Sequence, residues 1–226
     1  MNHILDNPVW NALISGNKSL ASGAENAKYF PEGVSCFAGL KQTDQDHLDL
    51  LYNDVPEHRS LILFSPGELP EPDNWEVIYQ MRLLQMVFDG ENPGLDDSVE
   101  IRPLEEQHIE DMIALSQMTK PGPFFKRTIE FGNYFGIFED DELISMAGQR
   151  LRADKYIEIS NVCTHTAHQD KGYACKLMSH QINEITKNSC IPFLHVKAKH
   201  LQAFKLYRSL GFKLRKELFV SIIRKM

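Results

Sequence analysis

No apolar run in these 226 residues approaches the roughly 20 that a membrane-spanning helix needs. The first residues, MNHILDNPVWN, hold no basic stretch ahead of an apolar core, so they do not read as a secretory signal. Cysteine is scarce: Cys36, Cys163, Cys175 and Cys190 form no CxxC pair and no regular framework, which predicts reduced thiols in a cytoplasmic protein. There is no GxxxxGK followed by Ser or Thr, and no GxGxxG, so neither phosphate-binding fingerprint is present. No basic tract interleaves with aromatics, and no nucleic-acid partner is expected. His165, His168, His180, His195 and His200 are numerous. No cysteine pair or carboxylate completes a tetrahedral set with them, so no metal is expected.

What remains is ordinary globular material. Hydrophobic content of 42% and charged content of 24% suit a folded chain of one large domain or two small ones. The net charge of −7 is unevenly placed. Residues 1–97 carry 5 Lys and Arg against 16 Asp and Glu, while residues 98–226 carry 19 against 15. A basic second half suits a polyanionic ligand, although two solvated surfaces would show the same numbers.

The stretch 156–177, YIEISNVCTHTAHQDKGYACKL, is the most informative. A strand-like run at 156–164 leads through a polar loop to Gly172. Beyond it Ala174, Leu177, Met178, Ile182 and Ile185 fall three and four apart, which makes one helical face. A strand, a loop with glycine and a helix N-terminus together offer unpaired N–H groups and a positive dipole end to an anion.

The loop reads Gln169-Asp170-Lys171-Gly172-Tyr173-Ala174, or Q-x-x-G-x-A. It resembles the acetyl-coenzyme A signature of the GNAT acyltransferase superfamily, Q/R-x-x-G-x-G/A. The segment 191–226 resembles the second half of that signature, with PFLHV on a strand and LYRSLGF on a helix. The wording is closest to the FR-type branch, and the likeness covers residues 98–226. An acid at Asp170, where relatives carry glycine or a basic residue, departs from the pattern. Lys171 beside it can compensate.

The resemblance implies an α/β (α+β) GNAT fold, a mixed central sheet flanked by helices. The expected order after residue 98 is strand (99–102), helix (105–117), hairpin strands (133–138 and 143–151), strand (156–164), helix, strand (192–197), helix (201–210) and a last strand (218–223). Residues 119–125, TKPGPFF, cannot be regular helix. The turn residues and acids of 89–97 read as a linker. Ahead of it, residues 1–97 show alternating short strands and helices, with a helix at 44–53, a buried strand at 60–64 and a strand-like run at 75–87. This half reads either as a degenerate GNAT-like domain or as an unrelated α/β cap.

By the resemblance, the activity is acyl transfer from acetyl-coenzyme A to the amine of a small molecule or peptide. The cradle would be Gln169, Asp170, Lys171, Gly172, Tyr173, Ala174 and Cys175. Val162, Cys163 and Thr164 would meet the pantetheine arm, and His200 would stand where many relatives place an asparagine on the cofactor. Tyr207 would protonate the leaving thiolate. Glu158 and His195 are alternative general bases, Glu158 preferred. The plainer alternatives are a solvent-facing strand residue, a satisfied core histidine, and a chain of waters. Phe124 and Phe125, on the loop over the acceptor side, are candidate substrate contacts or simple anchors. The acidic first half could form the facing wall and favour a cationic amine. Two other functions compete: a non-catalytic coenzyme A sensor or scaffold, and a glycine-type or longer-chain acyltransferase.

Overall fold

The computed structural model describes residues 3–69, 72–94 and 98–226. Residues 70–71 lie outside the described residues, as do residues 95–97 of the linker expected at 89–97. In the first half, α1 (Pro8–Ile14) opens on a proline, whose missing N–H is no loss at a first helical position. Short strands β1 (Ser22–Gly23), β2 (Ala27–Tyr29) and β3 (Phe37–Leu40) follow. Helix α2 (Gln45–Asp54) is capped by Asp44, whose carboxylate accepts the His47 N–H at 3.0 Å. Strands β4 (Ser60–Ser65) and β5 (Trp75–Phe88) complete this half.

The second half runs β6 (Arg102–Pro103), α3 (Ile109–Thr119), β7 (Phe135–Glu139), β8 (Glu142–Ala153), β9 (Tyr156–Thr164), α4 (Tyr173–Thr186), β10 (Ile191–Lys197), α5 (Leu201–Ser209) and β11 (Phe212–Lys225). The first of these strands is two residues where four were expected. The helix expected from 105 opens as a single 3-10 turn, and α3 ends at Lys120, whose φ of 52° is left-handed. Asp140 and Asp141, at φ 50° and 62°, make the two-residue turn between β7 and β8. The last strand is 14 residues long because β5 pairs along its whole length, while β4 covers 219–224 on the other edge.

Among the described residues, all eleven strands join one sheet in the order β1-β2-β3-β4-β11-β5-β10-β9-β8-β7-β6. Outward from the centre, the two sides follow one plan. The first pair on each side, β11 with β4 and β5 with β10, is antiparallel. The next, β4 with β3 and β10 with β9, is parallel and carries its helix, α2 or α4, in the connection. The remaining neighbours on each side are antiparallel. Each half of the chain therefore lends its last strand to the other half's side of the sheet.

The sheet separates two apolar layers near its centre. Leu5, Val9 and Leu13 from the α1 region pack with Phe37, Phe64, Phe193 and Val220 on one face. Met178, Ile182 and Ile185 of α4 pack with Leu194, Val196 and Phe212 on the other, with Tyr207 of α5 beside them. Among the described residues no helix is long and apolar enough to cross a membrane.

Candidate active site

The site begins where two parallel strands part. Strands β9 and β10 pair only at Ile191 with Tyr156, Pro192 with Ile157 and Phe193 with Glu158. Beyond that point β10 stays with β5, from Phe193 with Val87 to Lys197 with Leu83, and leaves β9 behind. On its other edge, β9 has one residue more than β8 between the pairs Ser160–Gly148 and Cys163–Met146. Such a bulge bends a strand and frees its backbone. Asn161 sits in it at φ 51°, a left-handed conformation that asparagine tolerates better than most residues, and neither Asn161 nor Val162 has a partner in either ladder.

Helix α4 starts at the mouth of this opening. Its N-cap is Gly172, at φ 80°, with no side-chain cap and no acid in the first turn. A Cβ on Gly172 would meet no atom within 4 Å, so the approach to the first-turn N–H groups is open. Asp170 also adopts a left-handed φ, 61°, which is why glycine suits that position. Lys171 turns away: its ammonium lies 3.7 Å from Glu139, which also holds His168 at 2.6 Å.

A cavity of about 630 Å³ lies at the opening and is lined from both apolar layers of the sheet. Val162, Cys163, Thr164, Gln169, Asp170, Gly172, Tyr173, Ala174, Cys175, His200 and Tyr207 all line it, as does His195. Lys171, Glu158, Phe124 and Phe125 are not among the lining residues. Residues 119–123 of the TKPGPFF loop do line it. Phe124 instead packs edge-on against Tyr134, with ring centres 5.6 Å apart. With Phe125 it borders a separate recess of about 340 Å³. Phe124 thus packs on the core, and within the TKPGPFF loop it is residues 119–123 that line the larger cavity. Among the described residues the first half contributes no acid to this lining, only Phe37, Ile62, Phe64, Met81 and Leu83.

Burial pushes the Tyr207 hydroxyl up to about 12, so it stays protonated at neutral pH and can donate. Burial likewise raises the Cys163 thiol to about 12, only partly offset by a hydrogen bond from Thr119, which leaves almost no thiolate for nucleophilic attack. The ring of His200 accepts the Ala203 N–H at Nδ1 and so caps α5, which leaves Nε2 to carry the proton.

The two candidate bases meet in one buried chain of hydrogen bonds that periodicity gave no sign of. Glu158 is 1% exposed. Its oxygens accept Nε and Nη2 of Arg150, each at 2.8 Å, and Nδ1 of His195 at 2.7 Å. Burial opposes the carboxylate, but the Arg150 charge and these hydrogen bonds outweigh it and hold the group well below the usual carboxylate range. Since Glu158 is ionised, His195 donates to it from Nδ1, and at Nε2 the neighbour's own bonds set the direction. The donor is Gln85, 3.0 Å away and directly opposite on β5. The Gln85 orientation follows in turn, because its oxygen accepts Arg215 Nε at 2.5 Å and its amide donates to Leu5 O at 3.0 Å. Arg150 and Arg215 both stand at irregularities of their strands, β8 and β11, where the register shifts. The signal available in the sequence was an arginine and a glutamate on adjacent strands that otherwise read as buried.

A splayed parallel pair with an open helix N-terminus at its mouth, and a protonated tyrosine inside, defines a coenzyme A-type acyltransferase fold. The comparisons agree. The FR47-like protein family matches residues 134–220. A candidate acetyltransferase of the GNAT family from Novosphingobium aromaticivorans is 30% identical, with 100% of both chains covered and a TM-score of 0.92. A GCN5-related N-acetyltransferase from Kribbella flavida shares the fold at 14% identity, covering 96% of this chain and 94% of that one, with a TM-score of 0.65. So does a GCN5-related N-acetyltransferase-like protein of Streptococcus suis, at 15% identity, 99% and 95% coverage and a TM-score of 0.60. No curated protein matches the chain. The chain belongs to the GNAT acetyltransferase family, and it is a transferase of that type.

Proposed function

We propose that this protein transfers an acetyl group from acetyl-coenzyme A directly to the amine of an acceptor. The observation that carries this is the uncapped N-terminus of α4 beside the unpaired stretch of β9. The first-turn N–H groups would bind the pyrophosphate, with Gly172 allowing close approach. Val162, Cys163 and Thr164 would pair with the pantetheine arm through their backbone. The thioester supplies an activated acyl carbon. The amine nitrogen bonds to that carbon, the carbon–sulfur bond breaks, and Tyr207 gives its proton to the departing sulfur. The high pKa of the Cys163 thiol argues against an acyl-enzyme.

The base we assign differs from the sequence expectation. Glu158 and His195 have their acceptor positions taken by Arg150 and Gln85, so we read them as the frame of the cleft rather than as proton acceptors. The amine would lose its proton to water. The rate should then rise with pH through the acceptor's own pKa and show no falling limb from Tyr207 until near its value of about 12. An inflection that ignores the acceptor's pKa and vanishes in His195→Gln would restore the histidine as base.

The four unpaired cysteines support a reducing, cytoplasmic setting. The shared strand plan supports reading residues 1–97 as a degenerate copy of the unit at 98–226. A non-catalytic sensor would have no use for a protonated tyrosine in the cleft, which favours the enzyme. Calorimetry with acetyl-coenzyme A tests the cradle, and absence of binding at millimolar concentration would sink the proposal. Tyr207→Phe should leave that binding nearly intact and lower turnover by ~10² to 10⁴. Unchanged turnover would make Tyr207 a packing residue.

A further inference from the structure

We infer that the acceptor is an amine carrying a compact apolar body, such as a branched aliphatic or phenyl group, an inference that rests on the acetyltransferase function proposed above. The cavity has two chemically different ends. On β10, Leu194 and Val196 face the layer of α4 and Tyr207, while Phe193 faces the α1 layer and His195 packs tilted on Phe64 and edge-on to Phe193, with ring centres 5.0 and 5.6 Å apart. The cradle and the proton donor therefore lie on one side of the sheet. An amine reaching the same carbonyl has the other end of the cavity open to it.

That end is walled by six apolar side chains: Phe37, Ile62, Phe64, Met81, Leu83 and Val220. Ile62, Met81 and Leu83 are only partly buried, so they present apolar surface to the cavity. The charges do not suit a polycation. The one acid among the described lining residues is Asp170, at the cradle, whereas Lys120, Arg150 and Lys197 also line the cavity. Glu158, the nearest interior carboxylate, is held by both Arg150 and His195. The Arg150 guanidinium lies 4.6 Å from the Phe37 ring centre and closes the wall rather than opening it. A polyamine entering here would shed its hydration with no free counter-charge. An apolar body would cover surface that water now wets.

Calorimetry with the full chain, with and without saturating coenzyme A, tests this directly. The probes are isoamylamine, 2-phenylethylamine, glycinamide and spermidine, on wild type and on Leu83→Glu, with Met81→Gln as a milder second variant. We expect the two apolar amines to bind at least tenfold more tightly than glycinamide or spermidine. Leu83→Glu should remove that preference, Met81→Gln should weaken it, and coenzyme A affinity should stay unchanged in both. Spermidine or glycinamide binding as tightly as the apolar amines would overturn the inference. So would hexanoyl-coenzyme A binding tenfold more tightly than acetyl-coenzyme A and excluding the apolar amines, since the chamber would then belong to the acyl chain. Failure of coenzyme A itself to bind would strike the acetyltransferase function, while the titrations without it would still decide the character of the chamber.

Discussion

In the first half of the chain, β3, α2 and β4 form a parallel crossover; in the second, β9, α4 and β10 form another at the matching place in the sheet. They differ at the helix start and at the strand end. The N-terminus of α2 is filled from within, because Asp44 accepts the His47 N–H and Asp46 lies in the first turn. The N-terminus of α4 has a glycine and no acid. Strand β3 ends after four residues, whereas β9 continues from its last β10 pair at Glu158 to Thr164 with no partner on that side. One topology thus yields a helix start filled from within and one left open, and the choice between them lies in a few residues rather than in the fold.

The comparison breaks most severely at the buried charges that frame the open crossover. Arg150→Met would strand Glu158 without its main partner inside the sheet, and we expect a loss of about 3–5 kcal/mol in urea unfolding. Adding Glu158→Leu should recover much of it. A single variant as stable as wild type would mean that the ion pair contributes little.

Making α4 resemble α2 is the next largest change. Gly172→Asp would place an acid at the helix start and a side chain at a φ of 80°. We expect coenzyme A affinity to fall at least tenfold, about 1.4 kcal/mol. Calorimetry showing unaltered affinity would separate the cradle from this helix end.

The converse change should be the smallest. Asp44→Ala removes the cap of α2 and should lower the urea-unfolding midpoint slightly, with coenzyme A binding unchanged. A matching fall in affinity would show that the first crossover takes part in binding after all.

Much of this molecule was legible along the chain. The strand at 156–164 was bounded as observed, and the α4 face of Leu177, Met178, Ile182 and Ile185 followed from steps of three and four. The glycine of the Q-x-x-G-x-A loop and Tyr207 could be named from their motifs, and both line the cavity. What stayed hidden depends on pairing across long separations. Nothing in residues 75–88 announces that they lie between β10 and β11, since a strand's own pattern records which face is buried and not which neighbour it finds.

The sequence by itself determined the local elements and the anion-ready helix start, because helical spacing, a glycine and the absence of a first-turn acid act within a few residues. Only the tertiary structure decided the rest. The exchange of β5 and β11 brings Phe64, Met81, Leu83 and Val220 to the far end of the cleft. The same exchange sets Gln85 opposite His195, and with Arg150 it draws both candidate bases into one buried hydrogen-bonded network. A lone pair is available for catalysis only if no donor occupies it, and that is settled by which strand arrives next to it.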